Sequence, residues 1–225
     1  MPLADAVDAA TPDADVVGVD LDWLAGLGAG GERCLLVALP APGRTAGLPG
    51  CAPEVRAAVL DAGECAYAPT LGGLLVPAVA TYGPDGDQGT RVDLTVAAAD
   101  PVPAHVVDAL DPRDAERRLT RAMSEVTATL DEVGGRPFDA TLRADAEAGG
   151  AAWAVPPSVP PRLAESLGRA ATIERIARVG AVHATSALTA SAADARTMAL
   201  VRLRAVADEA LAEIASAAAL AVAGR

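Results

Sequence analysis

The spacing of apolar positions changes near the middle of the chain. Two stretches ahead of it, "LLVPAVATY" (Leu74–Tyr82) and "TRVDLTVAA" (Thr90–Ala98), are rich in Val, Leu and Thr, the residues that suit a pleated surface. In the second, Val92, Leu94 and Val96 alternate with Arg91, Asp93 and Thr95. That period of two predicts a strand with one wet face. Between the stretches lies "GPDGDQG", where Pro84 presets φ, Asp85 can bond the backbone and Gly86 accepts a positive φ. The pattern predicts a hairpin, 74–82 with 90–98. Pro77 inside the first strand points to a sheet edge or a bulge.

Beyond Asp111 the period becomes helical. "DPRDAERRLTRAMSEVTATLDEVGG" (Asp111–Gly135) carries Leu119, Met123, Val126, Leu130 and Val133 at steps of four and three, one apolar stripe. Asp111 can cap the helix, Pro112 suits its first turn, and the glycine pair stops it. Ser158–Gly180 reads as a second helix with apolar residues over a wide arc. Ser191 is placed to cap a third, running to about Ala223 along Leu200, Leu203, Ala207, Leu211, Ile214, Ala218 and Ala221. Residues 136–157 are Pro-, Gly- and Ala-rich with room for a short helix around Asp139–Ala148, and Ala181–Ala192 is read as a loop.

The first hundred residues are harder to divide. Val16–Leu24 fits a strand or a helix start, and Glu32–Pro40 is equally open, because short apolar runs do not declare a period. Ala52–Gly63 is clearer, with Pro53 at a helix start, Val55, Val59 and Leu60 on one face, and Gly63 as the stop. Residues 1–15 hold four aspartates and no base, which predicts an acidic tail. The expected architecture is α+β. A small antiparallel sheet with covering helices occupies 16–103, and an Ala-rich helical layer occupies 104–225, forming one compact unit with it.

Composition sharpens this. Of 225 residues, 52% are apolar but only 2% aromatic, and the net charge is −12. Small side chains bury little area each, so such a core relies on close backbone approach and many contacts. All 18 basic residues are arginine. An acidic surface with no basic stripe speaks against nucleic acid and anionic membrane partners. The one long uncharged run, Cys65–Pro84, is broken by Pro69, Gly72, Gly73 and Pro77 and so does not read as a membrane span. Cys34, Cys51 and Cys65 have no CxxC spacing, and the acidic N-terminus does not read as a signal peptide. A cytoplasmic protein with reduced thiols is expected.

Each candidate for chemistry has a plainer reading. Asp85-x-Asp87-x-Gly89 starts like a calcium loop, but the fifth and twelfth positions are Gly89 and Val96, which cannot ligate by side chain. "GLGAGG" (Gly26–Gly31) satisfies G-x-G-x-x-G, yet no carboxylate stands where the ribose-binding acid belongs, and none appears in that region until Glu54. It therefore reads as a flexible glycine turn and not a dinucleotide loop. Without lysine no P-loop can form. His105 in a Pro-rich connector and His183 in a loop lack ligand-like spacing. Cys51 has no partner base. Asp20 and Asp22 would share a face only on a strand, with nothing basic nearby to hold phosphates.

No catalytic, cofactor-binding or metal residue is therefore assigned, and no cofactor is expected. One positive feature stands out. Arg113, Arg117 and Arg121 follow at i, i+4 and i+8 on one helix face, with Arg118 beside them, a surface suited to docking carboxylates. The reading is a non-enzymatic interaction or regulatory protein whose partner is another protein or a second copy, met through the C-terminal helices. The alternative is a small-molecule binder or enzyme with a pocket between sheet and helices, drawing on Asp20, Asp22, Tyr82 and the arginines.

Overall fold

The structure, a computed structural model, describes residues 14–17, 21–84, 87–134, 155–182 and 189–224. The expected helix at 139–148 lies outside these residues, as do Asp20, Asp85, Gly86 and His183. The chain divides into two compact units, Met1–Leu110 with Ala223–Arg225, and Asp111–Val222.

The first unit is built on a five-stranded sheet of order β1-β5-β4-β3-β2. Its strands are β1 (Ala14–Val17), β2 (Leu36–Ala38), β3 (Cys65–Tyr67), β4 (Leu74–Tyr82) and β5 (Gly89–Ala97). β2 to β5 are antiparallel, and the β4–β5 hairpin pairs Leu74 with Ala97 through to Tyr82 with Gly89. This is the small antiparallel sheet that the alternation predicts. At its tip the Asp87 N–H donates to the Pro84 carbonyl over 3.0 Å, a turn closed as the sequence suggests. β1 adds a feature beyond the expectation, pairing parallel to β5 from Ala14↔Thr90 to Val17↔Asp93. Residues 14 and 15 thus belong to the sheet and not to a tail.

Two helices flank the strands, α1 (Leu21–Ala29) and α2 (Pro53–Ala62), and α3 (Ala104–Asp108) follows the sheet. α1 corrects the reading of "GLGAGG". Gly26 and Gly28 lie inside the helix, and the remaining glycines end it. The Glu32 N–H donates to the Leu27 carbonyl (2.9 Å) and the Gly31 N–H to Gly28 (3.1 Å), while Gly31 has φ 93°. That is the paired closure of a Schellman stop, with its glycine left-handed. Asp22 accordingly sits on an exposed first helical turn and not on a strand. His105 lies in α3, a five-residue helix within the Pro-rich connection.

The unit's core gathers Leu36, Val59, Tyr67, Leu74 and Leu75. The β3–β4 connection Ala68–Gly73 is drawn into it. Gly73 N–H reaches the Ala99 carbonyl at 2.9 Å, and Val102 N–H reaches Pro69 at 2.8 Å. Gly72, at φ 80°, leaves no room for a side chain: a Cβ there would stand 2.4 Å from the Ala99 carbonyl oxygen. Burial, then the neighbouring Cys51, push the Cys65 thiol up to about 12 from 9.0.

Two expectations follow. At pH 8 the Cys65 thiolate fraction falls about a thousandfold against a free thiol, so iodoacetamide should label it roughly 100-fold or more slower than in urea. Because its folded pKa is raised, the associated stability is whole below pH 9 and is lost as the pH climbs towards 12. Urea midpoints at pH 8 and 10.5 should show that fall. Labelling as fast as in the unfolded chain would contradict both.

The second unit consists of α4 (Pro112–Val133), α5 (Pro161–Val182) and α6 (Ala190–Val222). α6 packs along both α4 and α5, which touch each other little, so it is the centre of the helical layer. Ala115, Leu119, Ala122 and Val126 form the buried stripe of α4; Ala170, Ala171, Ile173 and Ala177 serve in α5; Ala207, Ala210, Leu211 and Ile214 serve in α6. Alanines at the interfaces let helix axes approach closely. Asp111 caps α4 as expected, accepting from the N–H groups of Arg113 (2.9 Å) and Asp114 (3.2 Å). α6 is capped by Thr189 and not Ser191: its Oγ1 accepts from Ala192 N–H at 3.2 Å. α5 runs on to Val182, past the expected loop start, and Ala221 is exposed rather than on the apolar stripe.

Candidate functional site

A concavity of the first unit lies between α2 and the β4–β5 hairpin. α2 starts with Pro53 in its first turn and stops at Gly63, whose φ is 75° and whose N–H donates to Val59. Only Val59 of this helix is fully buried, while Val55 and Leu60 are half-buried, so its inner side seats incompletely on the strands. The result is a groove of about 650 Å³. Val55, Val76, Val79 and Thr95 line it, with Glu54 and Asp61 among its walls. It is apolar below and anionic above.

β4 meets this groove along an unguarded side. β3 pairs only with Leu74 and Leu75. From Val76 to Tyr82 no described strand covers the outer edge of β4, and residues 78–82 are exposed. Pro77 sits just past the last β3 partner, in keeping with the edge position its missing N–H calls for.

Glu32 is the polar residue that sequence reasoning missed. It is only 7% exposed, and its carboxylate accepts from Thr70 N–H (2.7 Å), Leu71 N–H (3.1 Å) and Thr70 Oγ1 (3.3 Å). It clamps the β3–β4 turn to the end of α1, a structural task rather than a chemical one. The partners are 38 and 39 residues away, so no local pattern announces them.

In the second unit the arginines on α4 divide. Arg117 reaches Asp114 at 2.8 Å and Asp111 at 3.9 Å. Arg118 bridges Asp114 and Glu213, while Glu213 also accepts from Asp111 N–H at 2.9 Å. The bond from Arg117, joined by Arg118, holds the Asp114 carboxyl below its usual value. Arg113, Arg117 and Arg121 are all exposed. Arg117 therefore serves the α4 terminus, which leaves Arg113 and Arg121 outermost on that face.

A smaller cleft of about 230 Å³ is lined by Glu116, Arg162, Ser166 and Arg169. Its polar groups satisfy one another: Arg162 lies 3.5 Å from Glu116, Ser166 donates to Glu116, and Arg169 reaches Thr120 Oγ1 at 3.3 Å.

Cys51 is half-buried and bridged through its backbone to Ala99. Among the described residues no three His, Cys, Asp or Glu side chains gather where they could hold a metal ion. No helix among them is long and apolar enough to cross a membrane. The groove is not lined by Asp22 or Tyr82.

α6 leaves one side uncovered by α4 and α5. Met198 is 73% and Val201 53% exposed, and with Asp194 and Ala205 they fall at helical spacing on one face.

No curated protein and no solved structure matches the chain. Two family models do. The N-terminal domain of the Rv1486c-like protein matches residues 1–109, and its C-terminal domain matches 113–212. The division of the fold after Leu110 falls in the gap between them, and the chain belongs to the Rv1486c-like family.

Proposed function

We propose that this is a non-enzymatic cytoplasmic interaction protein acting through its helical surface, with a second copy as its first partner. The observation that carries this reading is the exposure of Met198 and Val201 on the uncovered face of α6. Exposed large apolar side chains grouped on one helix face mark contact surfaces. The face is also self-complementary. In a two-fold antiparallel contact centred on Met198, Asp194 of each copy stands opposite Arg202 of the other. Arg202 now reaches Glu125 at 3.0 Å across an exposed pair, which gives little resistance to exchange. Arg113 and Arg121 then remain for an acidic partner.

Light scattering of the full chain over a dilution series tests this. The wild type should move from dimer to monomer, and Met198→Glu with Val201→Glu should weaken association at least tenfold while leaving the helical circular dichroism unchanged. A strict monomer at every concentration would remove the self-association.

The groove beside α2 supports a second reading, a small-molecule binder. Thermal-shift screening against nucleotides, divalent metals and phosphate or acyl metabolites separates the two, since a ligand confined to the native state raises the unfolding temperature.

A further inference from the structure

The edge of β4 carries an inference that goes beyond the helical surface. We propose that Pro77–Thr81 accepts an extended, cationic peptide segment of another protein as an added strand, seated between this edge and α2.

Register decides what the edge offers. Ala66 pairs with Leu75, and Ala68 N–H bonds the Gly73 carbonyl at 3.0 Å. The backbone groups of Leu75 therefore point towards β3, and alternation sends those of Pro77, Val79 and Thr81 the same way. β3 has ended by then, so they face outwards. Pro77 agrees independently: its missing N–H lies on the outer side, where the β4–β5 ladder loses nothing. The edge thus presents two N–H donors and three carbonyls to an incoming strand.

Exposed edges are normally guarded by charge or by a covering element. β4 has no charged residue from Leu74 to Tyr82, and Val79 is 61% exposed. The groove alongside gives alternate side chains of an added strand an apolar seat against Val55 and Val76. Main-chain bonds would supply affinity and these seats selectivity.

The charges select the occupant. Glu54 and Asp61 line the groove, and Arg91, on the same sheet face as Thr95, is held by Asp93 through bonds of 2.9 and 2.8 Å. Two β4 edges meeting from separate copies would bring two sets of these acids together. An arginine- or lysine-bearing strand meets them with opposite charge.

The test titrates the full chain with fluorescein-labelled, end-blocked octapeptides and reads anisotropy. One alternates valine with arginine, a second alternates valine with glutamate, and a third is the arginine peptide with alternate amides N-methylated. The arginine peptide should bind at least tenfold more tightly than either of the others. Glu54→Arg with Asp61→Arg, both exposed on the groove wall, should reverse the preference between arginine and glutamate peptides. Equal binding of the N-methylated peptide would reveal mere attraction to an acidic surface and overturn the added strand. No binding, indifference to the charge reversal, or self-association lost on Val79→Lys would overturn it as well.

Discussion

Glu32→Gln is expected to lower the stability of the first unit by about 1–2 kcal/mol, because the charged oxygen serving two backbone amides becomes a neutral carbonyl. The carboxylate is buried and takes bonds from both Thr70 and Leu71 N–H. Both amides donate to the same carboxylate oxygen, Oε2, so glutamine can keep the two bonds with its one oxygen, but without the charge. Its amide nitrogen then replaces the oxygen that accepts from Thr70 Oγ1. The turn cannot relax around the change, since Pro69 is fully buried and Gly72 lies against the Ala99 carbonyl. Urea unfolding followed by circular dichroism measures the effect. A change under about 0.5 kcal/mol, the size of an ordinary surface substitution, would show that water can replace the clamp.

Ala207→Leu should damage the second unit by about 3 kcal/mol, because overpacking a tight core forces side chains and backbone to move. Ala207 is 0% exposed on the helix that packs against both α4 and α5. A larger side chain there has to push α6 away from its neighbours, which also loosens the seating of buried Ala210 and Ile214 one and two turns on. Ala207→Gly is the matched control. It removes one methyl and costs about 1 kcal/mol, chiefly through helix propensity. If leucine proved neutral or stabilising, the layer would be loosely packed and the small side chains would not be setting the helix spacing.

The elements that carry their own punctuation are legible in the sequence. α4 is expected over Asp111–Gly135 and runs over Pro112–Val133, because cap, proline, stripe and glycine stop all lie within that stretch. The hairpin is expected at 74–82 and 90–98 and lies at 74–82 and 89–97. What escapes depends on distant partners. The glycines of α1 lower local helix propensity, yet the helix forms and its stop delivers Glu32 to a turn 38 residues on. β1 finds β5 across a long stretch of intervening chain, and a four-residue strand has too short a period to be told from a helix start. Of the groove, only the α2 pattern can be read. Val55, Val59 and Leu60 share a face in the sequence, but only Val59 is fully buried, and that partial seating is what opens the concavity. The arginine face on α4 is visible as spacing; that Arg117 is engaged by Asp114 also follows from spacing, whereas the Arg118–Glu213 link between helices does not.

The central claim, a self-complementary contact surface on α6, meets its most direct test in hydroxyl-radical footprinting of Met198 on the full chain. In the dilute monomer this side chain should oxidise at the rate its 73% exposure implies. At concentrations where the copies associate, its oxidation should slow at least fivefold, while that of exposed Tyr82 stays constant. An unchanged Met198 rate in a sample that has demonstrably associated would place the contact elsewhere and contradict the account.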